Sequence, residues 1–330
     1  EMWLKSPVTD LVVEDGRVVG AVVDREGRQV RVRASRGVVF ASGGFAHNAE
    51  WRQQYHGVPV GWSSANKGNL GTTIAIGQRH GAATALMDDA WWGASIPAPT
   101  EGINPAFLVS ERSMPFSLIV DGQGNRFANE SESYVDLGHH MLEHSGGAGK
   151  FWMIADARHA RRYLRTFAIM PGLMKGLREK GMLHTAKTLP ELARAIGVDQ
   201  GNLRATVERF HGFARAGVDG DFGRGNSAYD RYYGDPLVRP NPNLGPLEKG
   251  PFTAYELVPG DLGTKGGLLT DADARVLRED GSVIEGLYAA GNNSASVMGR
   301  TYPGPGSTIG PALVFGWRAG THMARVTATV

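Results

Sequence analysis

The sequence has 330 residues, 42% hydrophobic and 21% charged, with a net charge of +2. That length exceeds what one compact core organises, so two domains are expected. Lys and Arg are dispersed rather than blocked, which leaves no footprint for nucleic acid, and the absence of cysteine excludes disulfides, thiolate metal sites and a cysteine nucleophile.

No apolar run approaches the ~20 residues that cross a bilayer, so no transmembrane segment is expected. The opening Glu1-Met2-Trp3-Leu4-Lys5 lacks the pattern of a signal peptide. With no disulfide scaffold to form, a cytoplasmic setting is expected.

Residues 6–32 are strand-rich. Two β-branched runs flank Glu14-Asp15-Gly16-Arg17, a hairpin signal, and a second turn at Arg25-Glu26-Gly27-Arg28 leads into a third run, which predicts a small antiparallel meander. Gly37-Val38-Val39-Phe40-Ala41 reads as a strand buried in a parallel sheet, ending in Ser42-Gly43-Gly44. A helix is predicted over 72–76, among Gly68, Gly71, Gly77 and Gly81.

Residues 88 to about 257 differ in character, being rich in aromatics and irregular Pro-containing connections. Helices are predicted near 133–143, 190–196 and 202–216, and an extended loop over 236–250. From Gly266 the first character returns: a short strand over 267–270, a hairpin region over 271–281, a buried strand over 286–290 running into Gly291, and a final apolar helix over 310–326. The order is one domain interrupted by an insertion.

The two apolar strands end alike, in Ser42-Gly43-Gly44 and in Gly291-Asn292. Ligands of open α/β sheets sit at the carboxyl ends of strands, and glycine there lets backbone approach them closely. A tight turn explains either motif alone; the two together, on opposite sides of an insertion, favour a nucleotide cofactor.

The stretch 299–312 is the most informative. Pro311 is read at the first position of a helix, whose free N–H groups suit developing negative charge. Two Pro-Gly pairs ahead of it present Tyr302 and the Gly306 amide, as an enolate oxygen requires. A structural Pro-Gly loop around a buried tyrosine fits the same residue types. No G-x-G-x-x-G follows an early strand, so a phosphate-binding βαβ unit is expected upstream, on another chain, or not at all.

The run from Gly291-Asn292-Asn293 through Gly299-Arg300-Thr301-Tyr302-Pro303-Gly304-Pro305-Gly306 closely resembles the carboxy-terminal signature of the 3-ketosteroid Δ1-dehydrogenases, FAD enzymes of the succinate dehydrogenase and fumarate reductase flavoprotein superfamily. Further matches are Phe222-Gly223-Arg224-Gly225-Asn226, Tyr232-Tyr233-Gly234-Asp235-Pro236, Lys249-Gly250-Pro251-Phe252 and Pro259-Gly260-Asp261-Leu262-Gly263-Thr264-Lys265.

The resemblance implies an α/β chain in which an incomplete, Rossmann-like FAD-binding domain, 1–95 and 265–330, is interrupted by an α+β catalytic domain at 96–264. It implies that a leading FAD-binding segment lies outside this chain, supplied by a preceding stretch or a partner chain, and that the chain alone holds FAD poorly. Ser42, Gly43, Gly44, Gly291, Asn292, Ser307, Thr308 and Ile309 fall at the implied cofactor-binding positions, with no metal. Thr72 and Thr73 stand near where the superfamily more often has an Asp-Gly pair.

The implied reaction on a 3-ketosteroid takes a proton from C2 and a hydride from C1, the hydride going to flavin N5 and onward to an external electron acceptor. Tyr302 and the Gly306 amide hold the C3 ketone, and Tyr134 takes the proton. A phenol, with an ordinary pKa of about 10, is a weak base at neutral pH, so its surroundings must lower that value or pass the proton on.

Tyr229, Tyr232 and Tyr233 read instead as a cluster against the Pro-rich loop, Trp91-Trp92 as core, and His139, His140 and His144 as solvated or capping residues. Rival readings are a Δ4 ketosteroid dehydrogenase, a fumarate reductase-like enzyme with Arg300 nearby, and an inactive fragment unable to hold FAD.

Overall fold

Asp15 and Gly16 turn the chain sharply because both adopt positive φ, 47° and 76°, as a two-residue hairpin matched to strand twist requires. Val8–Glu14 and Arg17–Arg25 pair antiparallel around them, and Glu26-Gly27 repeats the device to add Arg28–Arg33. The expected three-stranded meander is present.

The computed structural model describes residues 1–145, 149–164 and 171–325, and the chain is α/β. Backbone contacts divide it into two units: one of Glu1–Val60, Ala65–Ala90 and the chain from Gly263, the other of Gly61–Ser64 and Trp91–Leu262.

In the first unit Val38–Phe40 pairs in parallel with Val283–Ala289, which is flanked on its other edge by the antiparallel Arg275–Leu277. The parallel pair joins segments about 250 residues apart, and its interior is apolar: Phe40, Leu287 and Ala289 meet Ile74, Ile76 and Leu268 in one buried cluster. The helix supplying Ile74 and Ile76 spans Thr72–Arg79, a turn beyond the expected 76.

The final helix spans Ile309–Arg325. Pro311 is therefore its third residue rather than its first. The position is still tolerated, because no N–H of the opening turn has an intrahelical partner to lose. Val326, at the expected end, lies outside the described residues.

The second unit is built on a six-stranded sheet running Ala106–Phe107, Ala90–Ile96, Phe252–Thr264, Phe151–Ala155, Ser117–Asp121, with Leu183–Ala186 also paired to Phe252–Thr264. Successive side chains of its strands go to opposite faces. Ile119, Phe151 and Met153 join Leu137, Met141 and Leu177 on one side. Leu118, Val120, Trp152 and Ile154 join Leu192, Val207 and Phe210 on the other.

With helices on both faces, these strands show no polar–apolar alternation. A short apolar run of that kind cannot be told from buried helix, and for that reason the sequence predicts helices but no strands across 96–257. The helices fall where expected, at Tyr134–Ser145, Leu189–Ile196 and Gln200–Ala216. Thr188 and Glu191 form a capping box at the second, and Asp199 caps the third. Residues 236–250 carry no helix or strand.

Candidate active site

The two glycine-ended strands of the first unit finish side by side, and the structure ties their ends together. The Ser42 amide donates to Asn293 Oδ1 at 2.5 Å, and the Ser42 hydroxyl meets Thr73 Oγ1 at 2.6 Å. Asn293 Nδ2 donates to Thr73 Oγ1 at 2.8 Å, closing a three-residue knot in which Asn293 and Thr73 are both buried.

Sequence reasoning chose Asn292 and passed over Asn293, and it noted Thr73 only as standing near where an Asp-Gly pair is more usual. The second asparagine of a Gly-Asn-Asn step is the signal that was available. Thr73 lacks a carboxylate, yet its hydroxyl binds both strand ends to the start of the 72–79 helix.

Gly43 and Gly44 are required by space as well as by conformation. Gly43 has φ +87°, and a Cβ on Gly44 would lie 1.9 Å from Thr264 Oγ1. That threonine hydroxyl accepts from the Phe45 amide at 3.2 Å, so Thr264 reads the backbone of the glycine turn directly. Gly291 opens a short 3-10 turn and lies against Ala312 in the first turns of the last helix, 3.7 Å from its Cβ once a Cβ is placed on the glycine.

The strip ahead of that helix is held from both ends. Thr301 N–H donates to Met298 O, while Ser307 N–H and Oγ–H both donate to Gly304 O. Tyr302 is 8% exposed. Gly306, at φ +103°, has open space where a Cβ would stand, and its carbonyl accepts from the Gly310 amide. Ser307 is buried, Thr308 half-buried and Ile309 exposed.

Beside the strip lies an open depression of about 560 Å³, walled by Met298, Pro303, Pro305, Gly306, Val314 and Phe315. Its size is that of a small-molecule site, and its walls are apolar with few polar groups, as such sites are. Arg300 bonds Asp88 in an exposed pair.

Tyr134 lies in the second unit, at the first residue of its helix and 3% exposed. Its ring meets Phe107 edge-to-face, centroids 5.2 Å apart. Phe107 in turn covers Gly93, and Gly138 sits flush against the backbone of Trp92 and Gly93. The helix is thereby seated on the 90–96 strand.

The residues leading into Tyr134 are fixed by buried charge. Glu130, 1% exposed, takes Arg126 in two hydrogen bonds, 2.8 and 2.7 Å, and accepts from the Ile119 amide. Asn129 reaches Asp230, and Ser131 bonds the Ser113 carbonyl. Glu132, two residues before Tyr134, is pushed up to about 7 by burial, although His140 at 2.8 Å pulls the other way.

The remaining candidates lie elsewhere in the second unit. Trp91 and Trp92 are buried. Tyr229, Tyr232 and Tyr233 stack edge-on among themselves, with Tyr232 exposed. His140 and His144 each pair with one carboxylate, Glu132 and Asp121.

Paired parallel strand ends that close in glycine turns, with a helix start and an apolar hollow in the same unit, are features of nucleotide-binding α/β proteins. The chain belongs to the FAD binding domain family, which it matches over residues 1–309, and FAD is the cofactor. It is 48% identical to 3-oxosteroid 1-dehydrogenase of Mycolicibacterium smegmatis, over 98% of this chain and 59% of that relative.

Among solved structures, 3-ketosteroid Δ1-dehydrogenase from Sterolibacterium denitrificans, in complex with 1,4-androstadiene-3,17-dione, superposes with TM-score 0.91 at 42% identity, covering 98% of this chain and 59% of that one. The 3-ketosteroid-Δ4-(5α)-dehydrogenase from Rhodococcus jostii superposes with TM-score 0.69 at 27% identity, covering 97% and 59%. The chain thus spans about three-fifths of the length of the relatives it matches.

The residues present suit FAD. No atom lies within 4 Å of a Cβ placed at Gly304, Gly306 or Gly310, so the strip and helix start present backbone to open space. Helix-start amides and bare glycine backbone favour an electron-rich, partly anionic ligand. No helix of the described residues is long and apolar enough to cross a membrane.

Proposed function

We propose that this chain takes part in the FAD-dependent 1,2-dehydrogenation of 3-ketosteroids. The observation that carries the reading is the Pro-Gly strip: Gly306 lines an apolar hollow, and the buried Tyr302 stands four residues before it, outside the hollow's lining, in a chain of the FAD binding domain family.

Tyr302 O–H and Gly306 N–H donate to the C3 ketone oxygen. They stabilise the negative charge that gathers there as C2 loses its proton, which is where donors are most effective. Tyr134 accepts that proton. The C1–H bonding pair leaves with its hydrogen as hydride, and the C2–H pair becomes the new C1=C2 bond. Bound FAD supplies the hydride acceptor, the hard redox chemistry being the cofactor's.

In this reading Ser42, Gly43, Gly44, Gly291, Asn292, Ser307, Thr308 and Ile309 hold the cofactor. Residues 1–95 and 265–330 serve FAD and 96–264 catalysis. An external acceptor would take the electrons from bound FAD, and the setting is cytoplasmic. The run of neutral residues from Tyr302 to Gly306 argues against a dicarboxylate substrate, which needs cationic clamps.

A dye-linked dehydrogenation assay of the FAD-loaded protein on a 3-keto-4-ene steroid, with the product double bond located by NMR, tests the reading. A 1,4-diene product is expected. No turnover of the 4-ene, with a 5α-saturated 3-ketosteroid desaturated between C4 and C5 in a parallel assay, would assign the Δ4 reaction instead, and a protein that takes up no flavin and turns over neither substrate would overturn the reading.

A further inference from the structure

Lys265 and Asp89 form a fully buried ion pair, Nζ to Oδ2 3.3 Å, with both side chains 0% exposed. Burying two charges costs several kcal/mol per ion, and apolar residues of similar size often serve stability as well or better. A lysine kept in such a place therefore calls for something an apolar side chain cannot supply.

The hydrogen bonds around it show what that is. Lys265 Nζ donates to the Thr301 carbonyl at 3.2 Å, one residue before Tyr302. The Lys265 amide donates to Asp89 O, and its carbonyl accepts from the Ser296 amide. Asp89 is itself fixed, accepting at Oδ1 from the Ala90 amide at 2.9 Å.

Lys265 thus ties residues 89, 296 and 301 together at the base of the strip. Next door, Asp88 takes the Arg300 guanidinium. Two consecutive aspartates therefore anchor the two consecutive residues that precede Tyr302, one through a surface pair and one through a buried lysine. Beyond Tyr302 the strip rises into Pro303-Gly304-Pro305-Gly306, where side chains offer little to grip.

We infer that Lys265, held by Asp89, is a positioning residue that fixes the phenol of Tyr302 for hydrogen bonding to the substrate ketone. The inference rests on the reading of Tyr302 as a ketone donor. A displacement of ~1 Å in such a group can cost ~10²-fold in rate, so a buried cation directed at the carbonyl next to Tyr302 acts on turnover rather than on binding.

The test uses the FAD-loaded protein with bound 1,4-androstadiene-3,17-dione carrying 13C at C3, read by isotope-edited infrared spectroscopy, beside kcat and KM. In the wild type the bound C3 carbonyl stretch lies below its value in water, and Tyr302→Phe removes most of that displacement. Lys265→Met is expected to remove a large part of it too, with kcat falling about 10- to 100-fold and KM nearly unchanged.

Because Lys265→Met removes the buried cation facing Asp89, the double variant Lys265→Met/Asp89→Asn is measured alongside. It removes both charges and should keep flavin and fold while showing the same infrared and kcat loss. A wild-type stretch and kcat in the double variant overturns the inference and leaves the reading of Tyr302 intact. Failure of both variants to fold makes the pair purely structural, which also overturns it. A wild-type stretch in Tyr302→Phe overturns the reading of Tyr302 itself.

Discussion

The main-chain amide of Ser42 donates to the side chain of Asn293 at 2.5 Å, across 251 residues of sequence. One side chain thereby closes the seam between two parallel strands where their ladder has run out. Asn293→Ala would strand the Ser42 amide and remove a donor to Thr73 Oγ1 in a buried place. A loss of ~1–3 kcal/mol is expected from leaving such groups unsatisfied. Urea denaturation at constant m-value measures it, and a change within error would mean that the knot contributes nothing.

Gly44 and Thr264 should couple. A methyl at Gly44 falls 1.9 Å from Thr264 Oγ1, a distance no relaxation of a packed side chain tolerates cheaply. Gly44→Ala is expected to destabilise the protein by ~1–3 kcal/mol. In a Thr264→Ala background the cost should shrink, although Phe45 loses its acceptor there. A double-mutant cycle reads the coupling; additive effects would contradict it.

Much of the first unit was legible because its signals are local. Asp15-Gly16 announces its hairpin, and the 38–41 and 286–290 runs announce a buried parallel pair. Pro311 signalled a helix start but not its register, since the opening turn accepts proline at more than one position. The second unit was harder to read. Strands such as Phe151–Ala155 are buried on both faces, and their apolar runs carry no period.

At the site, Tyr302, Gly306 and the glycine turns stood out by residue type. Asn293, Thr264, Lys265 and Asp89 did not, because their roles come from partners far away in sequence. Nothing near Lys265 in the chain marks it as buried or names Asp89 as its partner.

Two histidines should make the protein acid-sensitive. Burial, aided by the neighbouring Arg52 charge, pushes His56 down to about 4, and burial pushes His159 down to about 4 as well. Unfolded chains bind those protons near 6.5, whereas the folded protein refuses them until about 4. Stability is therefore fully present above 6.5 and declines as pH falls toward 4, by up to ~3 kcal/mol for each histidine. His159→Gln should lower stability at pH 7 and flatten its slope between pH 6.5 and 4. An unchanged slope in urea titrations would contradict this.

Glu132 acts in the opposite sense. With its carboxyl pushed up to about 7 by burial, the folded protein holds a proton that the unfolded chain has released near 4.5. Its favourable contribution is complete below 4.5 and is lost as pH rises through 7. Glu132→Gln keeps a neutral partner for His140 and should gain ~1–3 kcal/mol over wild type at pH 8, with little difference at pH 4. Melting temperatures at the two pH values decide it, and an equal shift at both would show that ionisation of Glu132 is not the cause.

The proposed chemistry depends most on what the Tyr302 hydroxyl does. The decisive measurement is the turnover of Tyr302→Phe on a 3-keto-4-ene steroid, taken together with its bound-flavin absorbance. Losing one donor to a developing oxyanion typically costs ~10²–10³-fold. A fall of that order with flavin content unchanged is predicted. Wild-type turnover in the variant would contradict the assignment of Tyr302 and, with it, the proposed chemistry.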